Sequence, residues 1–158
     1  MNINFEINNI IFNYRAAAII RNNNKLLVEK NKNVSHFTIP GGRCKIGENS
    51  INTVIRELKE ETNNDCSFIK SIGIIENFYK SSYNNEKVHE ILFIHELKFN
   101  KDNIYKRKII KNIEEKHRNS ITYEWIDIDI LKTINFKPKI ILDLLSTDKF
   151  QHLINNDS

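Results

Sequence analysis

Segment 42–61 constrains this chain more than any other. Five residues separate Gly42 from Glu48, and seven more separate Glu48 from the run Arg56-Glu57-Leu58-Lys59-Glu60-Glu61. Ile51, Val54, Ile55 and Leu58 recur at i, i+3, i+4 and i+7, the stripe of a helix that buries one face. Asn49 stands where an N-cap is needed. Glu57, Glu60 and Glu61 fall at i, i+3 and i+4 and share a different face. Like charges so spaced destabilise an exposed helix by a few tenths of a kcal/mol per pair, roughly. A bound cation is the simplest offset.

The spacing resembles the signature of the Nudix (MutT-like) hydrolases: Gly, five residues, Glu, seven residues, Arg-Glu-aliphatic-x-Glu-Glu-x-Gly-aliphatic. The chain matches from Gly42 through Thr62 and departs at the last two positions, Asn63 for Gly and Asn64 for an aliphatic residue. Asn63 is the mild change, since Asn adopts the left-handed conformation that ends a helix at little cost. Asn64 puts an amide where an apolar group packs, so Cys66 or Phe68 is expected to turn inward in its place. The resemblance spans about residues 15–145 and includes Ala16-Ala17-Ala18-Ile19-Ile20, Leu26-Leu27-Val28, Pro40-Gly41-Gly42 and Glu124-Trp125-Ile126. It implies an α/β fold, the Nudix α/β/α sandwich, with a mixed β-sheet between helices.

At 158 residues the chain has the length of one domain with a substantial core. No apolar run approaches a membrane span, and the first residues lack a secretory pattern. Two cysteines without an export signal fit a reducing cytoplasm, and the scattered histidines make a Zn site unattractive. The net charge of +4 is uneven. Lys98, Lys101, Lys106, Arg107, Lys108, Lys111, Lys116 and Arg118 crowd one segment containing three acids. That cluster reads either as a solvated basic surface or as an electrostatic funnel for a polyphosphate or nucleic acid.

Residues 15–21 read as a strand with 25–30 as its hairpin partner, and Asn22-Asn23-Asn24 tolerate the positive φ of the turn. Residues 37–39 are extended up to Pro40. Runs 68–80 and 87–99 form two strands around the loop 81–85, and 123–126 is a further strand. A last helix is expected over 137–147, with Pro138 in its first turn and Ile140, Ile141, Leu144 and Leu145 as its stripe. Residues 155–158 read as frayed.

The chemistry follows from the carboxylates. Hydrolysis of a pyrophosphate needs charge neutralised on non-bridging oxygens and water made nucleophilic, and divalent ions do both. Mg²⁺ takes hard oxygen ligands. The resemblance implies that Glu57 and Glu61 are the main metal ligands, that Glu60 assists, and that the Gly41 carbonyl completes the site, with Mn²⁺ an alternative ion. It implies that Glu48 and Arg56 orient the ligating carboxylates, and Gly41 and Gly42 permit backbone conformations and close metal approach that a Cβ would block. The base lies either in the signature segment, among Glu57 and Glu60, or on a later loop. There Glu115 is preferred over its neighbour Glu114, with Glu76 and Glu90 as rivals. Arg15, Phe37, Phe78 and His89 are candidates for holding substrate, with Tyr79 and Tyr83 as further aromatics.

The reading is a Mg²⁺-dependent pyrophosphohydrolase acting on a nucleoside diphosphate linked to another group: a nucleoside triphosphate, ADP-ribose, a dinucleoside polyphosphate or a similar small molecule. An RNA 5′ end is the alternative substrate. A non-catalytic nucleotide-sensing module is the alternative class, although such modules usually lose a carboxylate that this chain keeps. A membrane partner is not expected; a second copy of the chain is a candidate partner.

Overall fold

A computed structural model describes residues 1–117 and 119–157. Arg118 of the basic cluster and Ser158 of the expected frayed end lie outside the described residues. Strands β1 (Asn4–Ile7) and β2 (Ile10–Ile19) are joined by Asn8 and Asn9 at φ of 52° and 62°. Two left-handed residues are what a tight hairpin turn requires. At Ile20 the chain leaves this sheet, and β3 (Arg21–Asn22) turns through Asn23, φ 56°, into β4 (Lys25–Asn31). The expected hairpin between 15–21 and 25–30 is thus reduced to its tip: only Arg21 and Asn22 pair with β4. Residues 10–19 instead run parallel to a later strand.

The short strands β5 (Phe37–Thr38) and β6 (Gly41–Arg43) lead to helix α1 (Ser50–Thr62). The Asn49 side chain accepts from the Asn52 amide at 2.8 Å, and Asn63 ends the helix at φ 57° with its amide on the Lys59 carbonyl. Asn64 satisfies its own amide on the Thr62 carbonyl at 2.9 Å. Cys66 turns inward, while Phe68 stays exposed. The long hairpin β7 (Cys66–Lys80) and β8 (Lys87–Phe99) follows, then a 3₁₀ turn (Asp102–Lys106), β9 (Ile109–Lys111), β10 (Ile121–Asp127) and α2 (Ile128–Leu131).

Two sheets result. One runs β1-β2-β8-β7 and carries β6 on β2; the other runs β3-β4-β10-β9 and carries β5 on β4. β2 is parallel to β8 while β7 is antiparallel to it, so the larger sheet is mixed, as expected. Side chains alternate across a strand, and β2 shows the consequence. Ala16 and Ala18 join Val54 and Leu58 of α1 in one core cluster, whereas Ala17 and Ile19 face a second cluster with Leu131, Ile141 and Leu144. Helical segments therefore cover both faces, the layering of an α/β/α sandwich.

The C-terminal part differs from expectation in two respects. The helix over 137–147 is reduced to α3 (Ile141–Leu144), approached by i→i+3 bonds from the amides of Ile141, Leu142 and Asp143. Ile141 and Leu144 keep the buried stripe. Residues 155 and 156 are not frayed but belong to β11 (Gln151–Asn156), which pairs parallel with β7 and extends the larger sheet. Gly73 makes this pairing feasible, because a Cβ there would meet the Gln151 carbonyl oxygen at 2.4 Å.

Candidate active site

The face of α1 turned away from Val54 and Leu58 is organised by Arg56. Its guanidinium donates from Nε to Glu48 Oε2 at 2.8 Å and from Nη2 to Glu48 Oε1 at 3.0 Å, a bidentate pair. Nη1 reaches Glu57 Oε1 at 3.0 Å and Glu60 Oε2 at 3.2 Å, and Nη2 also reaches the Arg43 carbonyl at 3.1 Å. Thr53 Oγ1 donates to Glu48 Oε1 at 2.7 Å. The Arg56 hydrogen bond, aided by Thr53 and the Lys45 amide, holds the Glu48 carboxyl down to about 2 against the opposing effect of desolvation. Glu48 therefore stays ionised and clamps Arg56, which in turn aims Glu57.

Gly42 lies directly against that carboxylate. A Cβ at Gly42 would stand 2.1 Å from Glu57 Cδ, and one at Gly41 would stand 2.3 Å from the Ala16 carbonyl oxygen of β2. Neither glycine has a positive φ among the described residues; that conformation belongs to Gly47 at 82°. The two glycines serve close approach, Gly41 to a neighbouring strand and Gly42 to Glu57.

A third carboxylate comes from the segment after β9. One oxygen each of Glu57, Glu61 and Glu114 lie within 4.8 Å of one another. Glu114 is fixed by its amide, which donates to Asn112 Oδ1 at 2.9 Å, and the adjoining Ile113 amide donates to the Glu61 carbonyl at 2.8 Å. Asn112 Nδ2 donates to the Tyr123 hydroxyl at 3.0 Å, and that hydroxyl donates to Glu61 Oε2. Asn112 and Tyr123 are fully buried. They tie the end of α1 to β10 and to the Glu114 segment.

Burial raises the Glu61 carboxyl well above the usual carboxylate range; the Tyr123 hydrogen bond opposes this, and the charges of Glu29 and Glu57 add to it. Glu29, on β4, is pushed up to about 7 by burial, with Arg15 opposing and Glu57 reinforcing. Glu57, Glu61 and Glu114, gathered this closely with Arg56 reaching Glu57 alone of the three, have the donor set of a divalent-ion site.

The cluster opens into a cavity of about 940 Å³ lined by Arg15, Glu29, Gly41, Gly42, Glu57, Glu60, Glu61 and Glu114, among others. Of the residues expected to hold substrate, Arg15, Tyr79 and Tyr83 line it, and Arg15 pairs with Glu90 Oε2 at 3.5 Å. Glu90 is buried in the wall with Asn77 and Tyr79 on its oxygens. Phe37 packs on the second core cluster with the Lys30 ammonium 5.8 Å from its ring centre. Phe78 and His89 stack on each other at 4.4 Å. Since Val88 and Glu90 line the cavity, strand alternation puts His89, with Phe78 against it, on the opposite face. Glu76 is occupied by His152 at 2.6 Å outside the cavity. Glu115 is exposed and stands apart from the three-carboxylate cluster, to which its neighbour Glu114 belongs. Glu60 lines the cavity but turns its Oε2 to Arg56.

The NUDIX-domain family model matches residues 12–144. The chain belongs to the Nudix family. No curated protein matches it at a significant level. Solved Nudix structures share its fold at low identity. The MutT mutator protein of Bacillus halodurans aligns with a TM-score of 0.64 and 17% identity over 92% of this chain and 90% of its own. An ADP-ribose pyrophosphatase from Streptococcus suis aligns with a TM-score of 0.58 and 15% identity over 90% and 98%. A UDP-X diphosphatase aligns with a TM-score of 0.59 and 15% identity over 89% and 66%. The Nudix box therefore sits in a Nudix fold, and the chain is a Nudix hydrolase. Among the described residues no helix is long and apolar enough to cross a membrane.

Proposed function

We propose that this Nudix hydrolase is a Mg²⁺-dependent pyrophosphohydrolase that cleaves the diphosphate linkage of a nucleoside diphosphate joined to another group. The observation that carries this reading is the convergence of Glu57, Glu61 and Glu114 within 4.8 Å at the wall of a cavity of about 940 Å³. That volume lies in the range of small-molecule sites and accommodates nucleoside triphosphates, ADP-ribose and dinucleoside polyphosphates as a class. Two structural neighbours, an ADP-ribose pyrophosphatase and a UDP-X diphosphatase, support the same class of substrate.

Glu57 and Glu61 would hold the ion, with Glu114 and the Gly41 carbonyl beside them; Mn²⁺ fits the same oxygen donors. A divalent ion there supplies charge neutralisation on the diphosphate and activation of water. The remaining work falls to this chain's own residues. Arg56, locked by Glu48, fixes the Glu57 carboxylate. Tyr123 and Asn112 fix Glu61 and the Glu114 segment. Arg15 places a guanidinium at the cavity wall; burial opposes its charge, and the combined effects of Glu90, Tyr79 and Glu29 outweigh burial and keep it charged to meet phosphate oxygens. Glu114 is the carboxylate best positioned to take the proton from the attacking water, replacing Glu115 in that role. The buried free thiols of Cys44 and Cys66 suit work in a reducing cytoplasm.

The test is a panel of nucleoside triphosphates, ADP-ribose, a UDP-sugar, dinucleoside polyphosphates and 5′-triphosphorylated RNA, each with and without Mg²⁺ or Mn²⁺. Metal-dependent release of phosphate, pyrophosphate or a nucleoside monophosphate from at least one is expected. No release from any of them would overturn the reading.

A further inference from the structure

We propose that segment 105–116, together with Trp125, is a docking track for single-stranded RNA that begins in a second hollow outside the catalytic cavity and ends at its rim. The hollow, about 360 Å³, is lined on its basic side by Lys25, Lys106, Arg107 and Lys108 and on its aromatic side by Tyr105 and Trp125. One acid, Glu124, lines it among the described residues. Tyr105 and Trp125 are stacked, with ring centres 5.3 Å apart and planes 20° from parallel. The 3₁₀ turn sets this pair, because the Tyr105 carbonyl accepts from Asn22 Nδ2 at 2.9 Å and its hydroxyl accepts from the Phe99 amide at 2.9 Å. The platform is held rigidly from two sides.

From the hollow the cations continue along the chain. Lys111 is exposed on β9, and Lys116, also exposed, lines the catalytic cavity. Lys106, Arg107, Lys108, Lys111 and Lys116 form no ion pair among the described residues. An ordinary solvated surface mixes both signs of charge; this strip has cations without carboxylate partners beside a fixed aromatic pair. That combination matches single-stranded nucleic acid, which presents phosphates to Lys and Arg and base faces to aromatic rings. Tyr105 and Trp125 also pack against the first core cluster and edge-on against Phe99, which fixes them. An anionic membrane would use the cations alone, whereas a nucleic acid also uses the part-exposed rings that line the hollow. Ten residue steps separate Lys106 from Lys116, at most about 35 Å. At about 3.4 Å per stacked nucleotide, the track is at most roughly ten nucleotides long. A strand lying on it would bring one end to the carboxylate cluster. Only that last step depends on the pyrophosphohydrolase reading; the docking itself does not.

The test uses a ten-nucleotide unstructured RNA bearing a 5′-triphosphate, in EDTA so that no hydrolysis occurs. Trp125 is the sole tryptophan, so quenching of its fluorescence reports contact at the hollow. Five phosphate contacts give a salt slope near 3.5, hence about a hundredfold loss of affinity between 50 and 200 mM salt. The triple variant K106A/R107A/K108A should cut that loss to about sevenfold. Its metal-dependent turnover of a small nucleotide should equal that of wild type, which also shows that it is folded. Absence of quenching in wild type, or an unchanged slope in the variant, would overturn the proposal. So would equal quenching by phosphatidylserine vesicles with none by RNA. If RNA binds as described but no member of the substrate panel is hydrolysed, the catalytic reading fails and the docking track stands.

Discussion

Replacing Gly42 by alanine separates catalysis from folding more cleanly than removing a carboxylate. A Cβ at Gly42 would lie 2.1 Å from Glu57 Cδ and 2.3 Å from its Oε1. Ordinary contact begins near 3.4 Å, so the carboxylate must retreat by about 1.3 Å. The obstacle is the far end of a flexible side chain, and the backbone of β6 need not move. A misplacement of about 1 Å in a catalytic group costs on the order of a hundredfold in rate. Gly42→Ala is therefore expected to lose about a hundredfold in metal-dependent turnover while its melting temperature shifts by no more than about 3 °C, within 1 kcal/mol. Gly41→Ala is the control. Its Cβ would meet the Ala16 carbonyl at 2.3 Å and Ala17 Cα at 2.8 Å, atoms of β2 that cannot swing aside. Overpacking against backbone costs about 3 kcal/mol, or roughly 6–12 °C. Scanning calorimetry and steady-state kinetics on both variants decide the matter. Equal turnover in Gly42→Ala and wild type, or equal melting losses in the two variants, would refute the reasoning.

Three further expectations follow from the same geometry. Tyr123→Phe removes the hydroxyl that donates to Glu61 and accepts from Asn112; metal affinity should fall about tenfold, a charge-assisted bond being worth roughly 1.5–3 kcal/mol, as read by Mg²⁺ titration of turnover. Glu114→Gln should lower kcat at least a hundredfold, whereas Glu115→Gln, at an exposed position, should leave it within twofold. Glu29 titrates near 7 in the fold against 4.5 as its ordinary value, and Glu61 is raised as well. The metal-free fold thus holds extra protons between about pH 4.5 and 7 and loses stability as pH rises through that window, by about 2 kcal/mol after solvent screening. Melting temperatures from pH 5 to 8 should fall in EDTA and flatten with millimolar Mg²⁺.

Much of this site was legible because it is local. The bounds of α1, its Asn49 cap, its left-handed end at Asn63 and the Arg56–Glu48 clamp all depend on residues within a few turns of one another, where spacing determines geometry. What escaped was long-range. Glu114 and Glu115 have the same chemistry and adjacent numbers; which one turns inward is decided by Asn112, whose side chain caps the Glu114 amide while its own amide is satisfied by Tyr123. Phe78 and His89 lie on the wrong face because each is one residue out of step with the strand positions that line the cavity. Glu29, Asn112 and Tyr123 carried no signal of their own. β11 was missed because its strict alternation of exposure is not matched by an apolar alternation in Gln151–Asn156, where Ile154 faces out, and because its pairing partner lies some 78 residues away. One feature was readable and overlooked: Asn8-Asn9 between Ile7 and Ile10 is a tight-hairpin signal.

The claim that Glu57, Glu61 and Glu114 form a divalent-ion site is tested most directly by titrating the protein with Mn²⁺ and following free ion by electron paramagnetic resonance. Wild type should bind Mn²⁺ with a sub-millimolar Kd, in competition with Mg²⁺, and Glu61→Gln should weaken binding at least tenfold. Binding that is equally weak in wild type and in Glu61→Gln would contradict the account.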